Sequence, residues 1–317
     1  MDKIRAAVVG TGAFGRNHAR VISQLPDVEL RALVDTDLSR AQNISEEYGG
    51  KPCTNLDAIV GEIDAAVIST PTITHEAIAT TLLNSGLDLL VEKPIADSSA
   101  AGERLSRLAR DNGRILQVGH LERFNPAVIA LERALTVPLF FEVHRLSVFT
   151  PRSLDIDVVL DLMIHDLEIV LSFTRHLPQE VRAAGISVLS PKVDIANVRL
   201  AFASGCVANL TASRVSTEQV RKLRLFQPGE YVSVDYRRQD ATRLAVDNGA
   251  IRFSPLPVEP AEPLFLELQA FFSSVRSRSA PKVDGLAASN ALRVAEAILD
   301  KIKEHSELVA STVQRSR

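Results

Sequence analysis

The sequence predicts a doubly wound α/β domain followed by an α+β domain with a large, mostly antiparallel sheet. Three observations predict it. Short continuous apolar runs alternate with helical periodicity as far as Val118; closely spaced alternating runs take over after Gly119; and a length of 317 residues suits two domains. The expected division is residues 1–122 and 123–317.

In the first part, residues 4–9, 29–34, 65–69, 88–91 and 115–118 are short and mainly apolar, as strands buried on both faces of a parallel sheet are. Residues 14–25, 38–48, 74–85 and 98–111 carry apolar side chains three and four apart, which predicts helices between those strands. Gly86 and Gly113 stand where such helices stop. In the second part, a helix at 126–135 precedes strands at 140–148, 181–188, 198–202, 207–212, 223–226, 231–235 and 242–246. Ser204-Gly205 and Asn248-Gly249 read as tight hairpin turns, which makes this sheet mostly antiparallel. A strongly apolar helix at 157–173 interrupts the strands, and helices at 264–275 and 286–305 close the chain. Residues 254–263, with four prolines, read as a connecting loop.

Composition narrows the class of function. A net charge of -3 with dispersed basic residues gives no broad attraction to nucleic acid or anionic membrane. Cys53 and Cys206 are the two cysteines, too few for a disulfide framework or a cysteine-rich metal site. No apolar signal core opens the chain and no apolar run approaches the ~18 residues of a membrane span, so the expectation is a cytoplasmic protein.

Gly10-Thr11-Gly12-Ala13-Phe14-Gly15 lies between the first strand and the first helix. A chain that turns sharply there, lays its backbone against a pyrophosphate and packs a helix on the sheet needs glycines at these steps. The helix start offers unpaired N–H groups and the positive end of its dipole to phosphates. Asp35 ends the second strand, where an acidic side chain accepts hydrogen bonds from the adenosine ribose. Gly10, Gly12, Ala13, Phe14, Gly15 and Asp35 therefore form the expected cofactor site of a Rossmann domain. A carboxylate repels the 2′-phosphate of NADP, which favours NAD, although Arg40 on the next helix leaves dual use open.

Glu92-Lys93-Pro94 ends a strand on the sheet edge where open α/β folds bind ligands. It reads either as a surface ion pair before a proline or as a lysine held extended over a cleft, able to stabilise a developing alkoxide. Asp161 and His165 are four residues apart in the apolar 157–173 helix, on one face, with Asp166 beside the histidine. They form either a structural pair or a cleft lining in which His165 accepts a hydroxyl proton. No companion cluster supplies further metal ligands, so no metal is expected.

Together, the glycine turn, Asp35, Ser69-Thr70-Pro71 with His75, Glu92-Lys93-Pro94 and Asp161-x-x-x-His165 resemble the Gfo/Idh/MocA oxidoreductases over nearly the whole chain. The resemblance implies that Lys93, Asp161 and His165 form the catalytic site, with Glu92 and Lys93 also beside the cofactor and Thr70, Pro71 and His75 in a cofactor-side loop. One departure stands out: many members carry glycines just before the helical aspartate, where this chain has Asp157-Val158-Val159-Leu160. His120-Leu121-Glu122-Arg123-Phe124-Asn125-Pro126 and Leu160-Asp161-Leu162-Met163-Ile164-His165-Asp166 resemble the sugar-nucleotide branch, which oxidises UDP-N-acetylglucosamine at C3. Arg123 and Asn125 then either contact substrate or pin the two domains together.

The expected activity is NAD-dependent oxidation of a ring hydroxyl of a sugar or sugar nucleotide. Two alternatives share parts of the pattern: an inositol, aldose or diol dehydrogenase, and a catalytically silent NAD-binding regulator. A broad sheet with too few helices for both faces predicts a homodimer or homotetramer through the second domain.

Overall fold

The computed structural model describes residues 2–150, 156–247 and 249–315. The first elements in chain order are β1 (Ile4–Val9), α1 (Ala13–Gln24), β2 (Val28–Val34), α2 (Leu38–Tyr48), β3 (Lys51–Cys53), β4 (Ala65–Ile68), α3 (His75–Asn84), β5 (Asp88–Glu92), α4 (Ser99–Asp111) and β6 (Leu116–Gly119). After them come α5 (Pro126–Ala134), β7 (Phe140–Val148), α6 (Ile164–Thr174), β8 (Glu180–Ile186), β9 (Ile195–Ala201), β10 (Val207–Ser216) and β11 (Val220–Gln227). The last are β12 (Glu230–Asp235), β13 (Asp240–Asp247), β14 (Ala250–Pro255), α7 (Pro263–Ser277) and α8 (Gly285–Arg315).

The chain forms two compact units, one of Met1–Leu121 with Glu262–Ser289, the other of Glu122–Ala261 with Asn290–Arg317. The first crossing lies within a residue of the expected boundary, but the second part of the chain is not one continuous domain. Leu268, Phe271, Phe272 and Val275 of α7 join Ile22, Leu33 and Leu90 in the core of the first unit. Helical periodicity locates such a segment without saying which core takes its apolar face.

In the first unit the sheet order is β3-β2-β1-β4-β5-β6, and every pairing is parallel. Ala6, Ala7, Val67, Leu89 and Leu90 are fully buried, as helices on both faces require. β3 was not expected: it has three residues, one of them Pro52, and a proline is tolerated at a sheet edge.

The second unit has an eight-stranded sheet in the order β14-β13-β12-β11-β7-β10-β9-β8. Its pairings are antiparallel except β7 with β10. One face packs Phe141, Val143, Val198, Leu210, Leu223 and Val232 against α5, α6 and the Val294, Ile298 and Ile302 side of α8. Ser204 and Gly205 form the turn between β9 and β10, with Gly205 at φ +84°. Asn248 of the other expected hairpin lies outside the described residues, although β13 and β14 pair on either side of it. β14 replaces the start of the loop expected at 254–263, because strand pairing extends through Pro255 before the prolines stop it. Among the described residues, no helix is long and apolar enough to cross a membrane.

Candidate active site

In the first unit the glycine turn is dictated by space. Gly10 has φ +91°, and a Cβ there would lie 2.8 Å from the backbone of Ser69 and Thr70. A Cβ on Gly15 would lie 1.9 Å from the Gly10 carbonyl oxygen, so α1 approaches the turn only because residue 15 lacks a side chain. Gly12 differs: a Cβ would meet nothing within 4 Å, so the protein's own packing does not require glycine there. Arg16 N–H is bonded to Gly12 C=O at 2.9 Å, so the amides of Ala13, Phe14 and Gly15 precede the helix ladder and are available to an anion. The space beside the turn is a cavity of about 590 Å³ whose lining includes Gly10, Gly12, Asp35, Arg40, Thr70 and Pro71. These residues fit the adenosine and pyrophosphate of a dinucleotide.

Asp35 has a second task that spacing did not reveal. Its Oδ2 accepts the Thr11 amide and hydroxyl, both at 2.8 Å, and its Oδ1 accepts the Asp37 amide at 3.0 Å. Burial opposes its charge, but these hydrogen bonds outweigh it and hold Asp35 below the ordinary carboxylate range. The carboxylate thus fixes the glycine turn and retains acceptor capacity for a ribose hydroxyl. Arg40 lines the same cavity and pairs with Asp37 at 3.3 Å.

At the end of β5, Glu92 Oε1 lies 2.7 Å from Nε2 of His18, and its Oε2 accepts the Lys93 amide at 3.2 Å. The Lys93–Pro94 peptide is cis. A Cβ on Gly119 would come within 3.0 Å of Glu92 Oε2, so β6 leaves room for this carboxylate. Glu92 therefore anchors the turn bearing Lys93 to α1. His75, expected in the cofactor-side loop, is held by backbone carbonyls. It is 1% exposed, with Nε2 2.8 Å from the Thr70 carbonyl and Nδ1 2.9 Å from the Pro94 carbonyl. Both ring nitrogens are engaged by backbone, so His75 positions the Thr70 and Pro94 loops. His18 escaped the sequence reading because, three residues after Gly15, it occupies the buried stripe of α1 and looks like core. Glu267 escaped for the same reason within α7. It is fully buried, and both burial and the nearby Glu92 charge raise its pKa well above the ordinary carboxylate value.

In the second unit the apolar helix begins as a π-helical turn, Val159–Met163, before α6. Such turns widen the helix locally and recur at functional sites. Val158, Val159, Met163, Ile164 and Leu167 are buried, whereas Asp161 and His165 are partly accessible. Asp166 faces inward: Arg145 donates to its two oxygens at 2.6 and 2.9 Å, and Tyr236 Oη donates at 3.1 Å. Arg145 also donates to Glu122 at 2.9 Å and stacks 5.1 Å from the Tyr236 ring centroid. This buried network beneath His165 has one sequence signal, an aspartate in an apolar helix that needs a cation.

Arg123 and Asn125, expected either to contact substrate or to pin the domains, are both buried. Arg123 is 5% exposed; it bonds Ser172 at 2.5 Å, pairs with Glu168 at 3.2 Å and lies over Phe173. Asn125 caps α5 by accepting the Ala127 amide at 3.1 Å and donates to Tyr236 C=O at 2.9 Å. Both side chains make these bonds inside the second unit.

Comparison with known proteins agrees with this geometry. Residues 4–120 match the profile of an oxidoreductase family with an NAD-binding Rossmann fold, Gfo/Idh/MocA. The chain is 33% identical to a UDP-N-acetylglucosamine 3-dehydrogenase from Acidithiobacillus ferrooxidans, over 93% of this chain and 96% of that protein. A solved structure of that enzyme superposes with a TM-score of 0.91 at 32% identity, covering 96% of this chain and 99% of the other. A scyllo-inositol 2-dehydrogenase (NAD(+)) from Bacillus subtilis is 27% identical over 92% of this chain and 94% of its own length. An Agrobacterium radiobacter oxidoreductase, solved with NAD+, L-tartaric acid and magnesium, shares the fold at TM-score 0.84 and 15% identity, covering 95% of this chain and 96% of its own. The chain belongs to the Gfo/Idh/MocA oxidoreductase family and is a dehydrogenase with that family's dinucleotide-binding Rossmann domain.

Proposed function

We propose that the protein oxidises the C3 hydroxyl of UDP-N-acetylglucosamine, or a close sugar nucleotide, to a 3-keto sugar with NAD. The observation that carries this reading is the 33% identity, over 93% of the chain, to a dehydrogenase named for that reaction. Gly10, Gly12, Asp35, Thr70 and Pro71 would hold NAD, which would supply the hydride acceptor. The residues then share the remaining work. Lys93, held at the end of β5 by Glu92, polarises the hydroxyl and stabilises its developing negative charge. His165 accepts the hydroxyl proton, and Asp161, like His165 partly accessible, orients the substrate. Asp35 supports NAD over NADP, since its anionic carboxylate repels a 2′-phosphate.

A second reading is oxidation of inositol, supported by the 27% identity to the Bacillus subtilis enzyme over 92% of the chain. The two separate when the protein is incubated with NAD or NADP and UDP-N-acetylglucosamine, free N-acetylglucosamine, glucose or inositol. Reduction of NAD with the UDP-sugar and formation of its 3-ketone support the first reading. Brisk inositol oxidation without response to UDP-sugars, with product removed as it forms, supports the second.

A homo-oligomer is part of the same reading. On the sheet face opposite the helices, Val207, Phe140, Phe226, Tyr231, Leu244 and Phe253 stand in register across neighbouring strands, with Phe253 75% exposed. An apolar row of this extent suits a self-complementary interface. Cys53 and Cys206 are buried and free, which supports a cytoplasmic setting.

A further inference from the structure

A cavity of about 420 Å³ in the second unit, at the start of β11 and the β12–β13 turn, is lined by Arg221, Lys222, Arg237 and Arg238 with Glu218 and Asp235. The carboxylates do not neutralise it. Asp235 accepts the amides of Arg237 and Arg238, and the Arg238 guanidinium is held by Asp235 at 3.5 Å and Asp240 at 2.9 Å. Arg237 is exposed beside them.

Arg221 is the unusual member. It sits opposite Arg145 in the β7–β11 register, and its nearest carboxylate oxygen, Glu122 Oε1 at 3.8 Å, already accepts from Arg145 at 2.9 Å. Two guanidinium groups thus share one carboxylate oxygen. Arg221 Nε is buried with no hydrogen-bond partner among the described residues, while its side chain as a whole is 34% exposed. Burial first, and then the Arg145 charge, lower its pKa from the ordinary arginine value. An anion entering the cavity would meet the accessible part of this side chain and offset the repulsion between the two guanidinium groups.

We propose that Arg221 and Arg237, with Lys222 adding positive potential, bind the diphosphate of the nucleotide-sugar substrate. The proposal rests on the sugar-nucleotide reading above and assigns that substrate's charged half to particular residues. A fork-shaped guanidinium that is partly accessible suits phosphate oxygens, and a second cation beside it suits a group carrying two negative charges. The cavity is also ample for more than a single carboxylate. The subsite connects to the chemistry through a short chain of contacts: Asp166 follows His165, Arg145 joins Asp166 to Glu122, and Glu122 faces Arg221. The sugar ring at His165 and the diphosphate at Arg221 would therefore be held by one unit.

The test measures binding of UDP and of inorganic pyrophosphate by calorimetry to the full-length protein with NAD. The variants are R221M, R221K, R237S and R221M/R237S, with R199S on β9 as a distant control. We expect each lost arginine to weaken UDP binding about tenfold, with R221K intermediate and R199S unchanged. NAD affinity should be retained throughout, and the KM for UDP-N-acetylglucosamine should rise in the same order. Arg237 is exposed, so R237S carries the test if R221M fails to fold. Wild-type UDP affinity and KM in R237S and R221K, in an enzyme that oxidises UDP-N-acetylglucosamine, would overturn the subsite and leave the substrate reading standing. No UDP binding and no UDP-sugar oxidation by the wild type would overturn both.

Discussion

Arg145 holds Asp166, the residue after His165, through two hydrogen bonds of 2.6 and 2.9 Å in a site from which solvent is excluded. The same guanidinium serves Glu122 at 2.9 Å, so its removal takes the cation from Asp166 and leaves Glu122 with Arg221 at 3.8 Å. Arg145→Met should destabilise the protein by about 3–5 kcal/mol, because breaking a buried pair costs more than the pair contributes. Chemical denaturation measures this directly. A loss below about 1 kcal/mol would show that the network does not carry α6.

The glycine turn separates folding from cofactor binding. Gly15→Ala places a methyl 1.9 Å from the Gly10 carbonyl oxygen and should cost about 1–3 kcal/mol of stability, or more. Gly12→Ala meets open space and should fold with a wild-type Tm while weakening NAD at least about tenfold, because the methyl enters the cofactor's volume. Thermal melts with and without NAD distinguish the two. Unchanged NAD affinity in Gly12→Ala would displace the pyrophosphate from this turn.

Glu267 predicts a pH dependence of stability. Its folded pKa is raised, so the folded protein keeps a proton that the unfolded chain releases above about pH 4.5. Stability from this group is full below that pH and declines as pH rises towards the folded pKa, with a limiting slope of about 1.4 kcal/mol per pH unit. Glu267→Gln, which keeps the shape without the acid, should therefore lose less stability than wild type between about pH 5 and 8. Parallel slopes in denaturation series across that range would mean that Glu267 is ionised in the fold.

The proposed chemistry gives both Lys93 and His165 a part in proton transfer. Lys93→Met and His165→Ala should each lower kcat by about 100- to 10,000-fold with NAD affinity retained, and the double variant should be far from additive. Steady-state kinetics with fluorescence titration of NAD checks both halves. Near wild-type turnover in either single variant removes that residue from the chemistry.

Much of this was legible in the sequence because local rules and the fold agree. The glycine spacing, Asp35 and buried runs such as Ala65 to Ile68 each point to the same parallel sheet. Elements whose placement depends on distant partners were harder to read. α7 has an ordinary apolar stripe, and only the core around Ile22 and Leu90 assigns it to the first unit. Arg123 was a candidate substrate contact by its charge, yet it pairs with Glu168 and Ser172, whereas Arg221 carried no local signal and shares Glu122 with Arg145. Those distinctions arise across chain separations that periodicity cannot span.

The most direct measurement uses UDP-N-acetylglucosamine deuterated at C3 with NAD as acceptor, followed by mass spectrometry of both products. One deuterium is expected on the reduced nicotinamide, none on the 3-keto sugar, with slower turnover than for the unlabelled substrate wherever hydride transfer limits the rate. Reduced cofactor without deuterium, or a sugar product that keeps its C3 label, would contradict the proposed oxidation at C3.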